Sequence, residues 1–134
     1  MSLYVLADPI LAVRSYLLTV PEVTDITPRI VTRLPAAPAW PIVRIALIST
    51  TAVHERRYDR ALVQLDCFAK DDTDAHRLAR VVRAALVDSG SHVVGDAVLG
   101  GAVNTAVLPL PDETFTPAMP RYAVTAHVFI HPTP

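Results

Sequence analysis

Apolar residues recur along this chain with two different periods, and the change from one to the other is sharpest between Tyr58 and Gly90. Over the first part of that stretch Ala61, Val63, Leu65, Cys67 and Ala69 alternate with Leu62, Gln64, Asp66 and Phe68. A period of two predicts a strand over Tyr58–Lys70. The period then becomes three to four: Ala75, Leu78, Ala79, Val82, Ala85 and Leu86 share one arc of a helix spanning about Asp74–Ser89. Asp71, Asp72 and Thr73 can cap its start, where acidic charge is favourable, and Gly90 suits its exit. His76, Arg77, Arg80 and Arg83 lie on the opposite arc, with Val87 among them. A solitary domain would place a polar residue there.

The same criteria divide the rest of the chain. Asp8-Pro9 starts a helix, Asp as N-cap and Pro at the first position, which runs to about Val20 before Pro21 stops it. Ile10, Val13, Leu17 and Val20 form its stripe, and Leu11 and Leu18 widen it until cover on more than one side is expected. Residues 21–28 read as a connector, 29–34 as a short strand, and the Pro-rich 35–41 as a loop. Residues 42–49 predict a strand apolar on both faces, hence near the sheet centre. Thr50–Arg57 reads as a polar link, making a long antiparallel hairpin with the HERR segment near its tip. Further strands are expected at His92–Val94, Ala97–Leu108 and Arg121–Ile130, with the Pro-rich segment Pro109–Pro120 irregular between the last two.

This order predicts one α+β domain over residues 1–134: an antiparallel or mixed sheet with two main helices packed on one face, roughly α-β-β-β-α-β-β. Leu78, Val82 and Leu86 of the second helix are expected to pack on Val63 and Leu65 of the preceding strand.

Composition narrows the function classes. A formal net charge of -1 gives no global attraction to nucleic acid or membrane. A hydrophobic content of 51% is high for a domain of 134 residues, and either a large core or a subunit interface can absorb it. One cysteine cannot form an internal disulfide. No apolar run approaches the ~20 residues of a membrane span, and the N-terminus has no signal-peptide pattern, so a protein made in the cytoplasm is expected.

Candidate chemistry is sparse. His127 and His131 would share a metal on a helix, but four residues of strand separate them by about 13 Å, too far for one zinc ion. Cys67 reads as a small core hydrophobe. The segment GDAVLGG, residues 95–101, lacks the Lys-Ser/Thr end of a phosphate loop and reads as a hairpin or bulge. No nucleophile elbow is present. Neither catalytic residues, nor a cofactor, nor a metal is expected. What remains is two basic groups: Arg56, Arg57 and Arg60 at the hairpin, and Arg77, Arg80 and Arg83 beside Val87 on the helix. They read either as solvated surface or as contacts to a neighbouring subunit or to DNA passing unread.

Taken together, DPILAVRSYLL, PEVTDITPRIV, PIVRIALI, ALVQLDCFAKDDTDAHRLARVVRAAL and the closing RYAVTAHVFIH resemble the tail terminator proteins of long-tailed bacteriophages, especially those of actinobacterial hosts. The resemblance covers nearly the whole chain. Its most specific part is the strand-turn-helix, with Asp66 before Phe68 and LARVVRAAL in the helix. The resemblance implies a non-enzymatic virion protein at the head-proximal end of the tail. It would form a homo-oligomeric ring, a hexamer in the typical case, that caps the tail tube protein, ends polymerisation, offers the head connector a docking surface and passes DNA through its lumen. A head-tail connector or tail-completion protein is the nearest alternative, and a small ferredoxin-like ligand-binding domain a more distant one.

Overall fold

In the computed structural model, residues 5–54 and 58–133 are described. Three helices, α1 (Pro9–Leu17), α2 (Pro21–Thr24) and α3 (Asp72–Val87), accompany six strands: β1 (Ile30–Val31), β2 (Ile42–His54), β3 (Tyr58–Phe68), β4 (His92–Val94), β5 (Ala97–Pro109) and β6 (Arg121–Pro132). The strands form one mixed sheet in the order β1-β2-β3-β6-β5-β4, parallel only between β1 and β2. This is the α+β architecture predicted, with α1 and α3 on the same side of the sheet.

Local chemistry sets the helix ends. The carboxylate of Asp8 accepts from the Ile10 N–H at 2.9 Å, and that of Asp71 accepts from the Asp74 N–H at 2.8 Å. The first helix ends at Leu17 rather than near Val20. Its last turn tightens through bonds from the Thr19 and Val20 N–H groups to the Tyr16 and Leu17 carbonyls. Pro21 then occupies the first turn of α2, so a residue that stops one helix starts another, and the predicted connector contains a helical turn.

The core lies between the helices and one sheet face. Val43 and Ile45 of β2, Val63 and Leu65 of β3, and Val124, Ala126 and Val128 of β6 meet Leu78, Val82 and Leu86 of α3 there. Tyr16 of α1 is buried as well, and its hydroxyl donates to the Ala85 carbonyl at 2.6 Å, tying the two helices together. Gly95 and Asp96 make the two-residue turn between β4 and β5, and the φ of 60° at Gly95 suits the first central position of a hairpin turn.

Strand β2 departs from expectation twice. It continues through Thr50–His54, which pairs with β3 down to His54 opposite Tyr58, so this part of the expected link is strand; residues 55–57 lie outside the described residues. Ser49, Thr50 and Thr51 are polar because they are exposed, and Thr and Val suit a strand well. Nor does β2 lie at the sheet centre, which β3 and β6 occupy. Two-residue β1 covers β2 only at Val43 and Arg44, and beyond them β2 is the edge. On its second face Ile42 is buried whereas Ile48 is exposed, and Leu47 of the first face and Val53 near the strand end are exposed as well.

Candidate assembly surfaces

The outer arc of α3 forms the first surface. Arg80, Arg83, Ala84 and Val87 line a shallow hollow of about 420 Å³. Arg83 Nε donates to the Thr105 hydroxyl at 2.9 Å, which fixes this end of the arc beside β5. Val87 is 54% exposed. Toward the other end, Arg77 lines a separate hollow with Ile26, Pro41, Ala69, Lys70 and Asp74, and His76 stacks on Tyr122 with ring centroids 4.7 Å apart. Arg60 does not join this surface. It alternates with the buried Ala61 on β3 and therefore turns to the opposite sheet face, level with Thr51 and Phe129. Arg56 and Arg57 lie outside the described residues.

Among the described residues that opposite face carries no helix, and it is divided in two. One end is closed by the segment between β5 and β6. Asp112 and Met119 bridge it, the Trp40 ring lies tilted against Phe68 (5.5 Å), and Phe115 meets Trp40 edge-on (5.6 Å). Beneath these rings Asp66 is buried at 2% exposure. Arg44 reaches its Oδ2 at 2.7 Å, Gln64 donates to Oδ1 at 2.9 Å, and Arg121 lies 3.7 Å from Oδ2. Both guanidinium groups also sit over the Phe68 ring, at 5.3 and 5.6 Å. Asp112 has its carboxyl held below the ordinary carboxylate range, first by the Thr114 hydroxyl that donates to it and further by its N–H and by Arg121. The segment from 110 to 120, read from its prolines as irregular, is thus anchored by polar contacts at its base.

The other end of the face is open. It presents Val98, Val103 and Ala106 of β5, Leu62 and Arg60 of β3, and His127 and Phe129 of β6. The buried Nδ1 of His127 has no hydrogen-bond partner. His131, the other half of the HxxxH pair, stacks on Tyr58 at 4.6 Å. Among the described residues no group of three or more His, Cys, Asp or Glu is placed to hold a metal ion, and no helix is long and apolar enough to cross a membrane. Cys67 is fully buried, and burial followed by the neighbouring Asp66 raises its thiol pKa far above the usual value.

A family model described as tail completion protein gp17 matches residues 11–117, most of the chain. The chain belongs to that tail completion family. It is accordingly a structural protein of the bacteriophage virion, situated in the tail and serving tail completion and head-tail joining. A chain in the solved "Virion of native gene transfer agent (GTA) particle" is similar in fold, with a TM-score of 0.62 over 92% of this chain and 94% of that one, at 14% identity. No curated protein matches the chain.

Within this tail completion protein sequence reasoning singled out Asp66 but missed the cluster it forms with Arg44 and Arg121, to which Asp112 is joined through Arg121. A signal existed: Arg44 interrupts an apolar strand, and Asp66 interrupts the alternation of the next. Their being partners follows only from the register that places Arg44 opposite Asp66.

Proposed function

We propose that this protein, acting as a single domain, assembles into a homo-oligomeric ring, a hexamer, that caps the tail tube, ends its polymerisation and presents the docking surface for the head connector. Membership of the tail completion family carries this reading. Exposed apolar residues support it where they cluster: Leu47, Ile48 and Val53 along the β2 edge, and Val87 within the basic arc of α3. Arg77, Arg80, Arg83 and Val87 contact the neighbouring subunit, while Arg56, Arg57 and Arg60 with the hairpin end face the tube, the connector or the neighbour. DNA passes through the lumen without being read, and the protein performs no catalytic step of its own.

The experiment is a mass measurement in solution, with and without tail tube protein. Rings, formed alone or on tube ends, are expected. A strict monomer that never joins a tube end contradicts the proposal. A label found at the capsid vertex and absent from isolated tails would favour the connector reading.

A further inference from the structure

Two-residue β1 and three-residue β4 end the sheet, and beyond them β2 and β5 are edges interrupted by ladder irregularities but blunted by neither charge nor proline. Along β2, Ala46–Val53 is exposed at every residue and carries no charge and no proline. Along β5, β4 covers only Ala97–Leu99, and Gly100–Leu108 is again uncharged and free of proline. Among the described residues no strand pairs with either run on its outer side. In a chain with 25 Lys, Arg, Asp and Glu residues (12 basic plus 13 acidic), two long uncharged edges are conspicuous. Uncharged edges, exposed along β2 and half-buried to exposed along β5, invite pairing with another chain.

We propose that the β2 edge of one copy pairs, antiparallel, with the β5 edge of the next, so that the sheet continues from subunit to subunit. This rests on the ring reading above and names the contact that would build it. Strand directions decide the geometry. β2 runs with β6 and against β3 and β5. A neighbour related by rotation about an axis to which the strands are tilted therefore brings β5 against β2 antiparallel, with the helix faces of both copies on the same side. Such head-to-tail contacts close into rings. A second copy is favoured over a foreign strand because one head-to-tail contact covers both edges, and a foreign strand would leave one bare.

The faces fix the register class. Thr50 pairs with the core residue Ala61 and turns to the helix side, as does Val107 opposite Val124. Thr51 turns to the open side, as does Ala106 opposite Thr125. Ladder irregularities interrupt β2 at Leu47/Ser49 and Ala52/His54, and β5 at Leu99/Ala102 and Val103/Ala106. The regular runs are thus Ser49–Ala52 and Ala106–Pro109. Thr50 opposite Val107 and Thr51 opposite Ala106 satisfy both conditions, with strands oblique to the ring axis as in closed barrels. The same neighbour would cover Arg80 and Val87, which the Arg83–Thr105 bond holds beside β5.

The test is disulfide trapping in the assembled full-length protein, using Thr51→Cys and Ala106→Cys together, with Cys67 buried and therefore silent. Oxidation should give a covalent ladder extending beyond dimer, and either single substitution should give none. As a second readout, Thr51→Lys should abolish assembly while leaving the circular dichroism spectrum of the folded chain unchanged, and adding Ala106→Glu should restore assembly. If the native chain forms rings, yet the ladder is absent and Thr51→Lys assembles normally, the edge contact is wrong and the ring stands. If the tube protein is trapped instead, the edge belongs to that partner and the proposal is overturned. If the native chain stays monomeric with and without tube, the ring reading itself fails.

Discussion

Arg44 on β2 and Asp66 on β3 are direct cross-strand partners, and the guanidinium reaches the carboxylate at 2.7 Å on the sheet face away from the helices. Asp66 is buried, so its charge depends on Arg44, Arg121 and Gln64 for compensation. Removing one member of a buried pair strands the other and costs about 3 kcal/mol. Asp66→Asn is therefore expected to lower stability by roughly that amount, seen as a lower urea midpoint with an unchanged slope. An unchanged midpoint would show that the two arginines are satisfied by solvent.

Tyr16 makes a comparable test on the other face. Its buried hydroxyl donates to the Ala85 carbonyl at 2.6 Å. Tyr16→Phe keeps the ring and leaves that carbonyl unpaired, with an expected loss of about 1–3 kcal/mol in thermal or denaturant unfolding. A neutral result would mean water replaces the hydroxyl.

Core packing sets a larger scale. Leu78 and Leu86 of α3 are fully buried against the sheet. Leu86→Ala should cost about 2–5 kcal/mol, through lost burial and the cavity left behind. Calorimetry measures it directly, and a cost below the Tyr16→Phe value would place α3 outside the cooperative core.

Acid should loosen the segment between β5 and β6. Asp112 has its pKa lowered in the folded protein, chiefly by the Thr114 hydroxyl. A depressed carboxyl contributes stability fully above its unfolded value, near 4, and loses it as pH falls through the lower folded value. Fluorescence of Trp40, which touches Phe115 of that segment, should be flat from neutral pH to about 4 and change below it. In Asp112→Asn the acid step assigned to this residue should vanish. A change centred near pH 6 would point to histidine instead.

On the outer arc of α3, Arg80→Glu or Val87→Glu leaves the core untouched. Both residues are exposed, so a stability change within about 0.5 kcal/mol is expected. Light scattering should nevertheless show loss of the assembled species. Normal assembly in both variants would remove this arc from the subunit contact.

Much of the fold was legible because its signals are local. Alternation through Val63 and Leu65, the Asp71 cap and the arc through Leu78, Val82 and Leu86 each lie within one element. The position of β2 was not legible. Ile42 and Ile48 are equally apolar, yet one is buried beneath neighbouring elements and the other sits on an open edge, and only the strand order separates them. The same limit applied to the surface. Arg60 and Arg80 look alike in sequence and lie on opposite faces of the sheet. The buried Asp66 cluster needed register, which no single strand contains.

The central claim, that this tail completion protein ends tube growth as a ring, is tested most directly by electron microscopy of tail tube protein polymerising in its presence. Substoichiometric addition should arrest elongation, shorten the tubes in proportion to the amount added and place one ring on a single end of each tube. Tubes that keep growing to the same length, with bare ends and the added protein monomeric in solution, would contradict it.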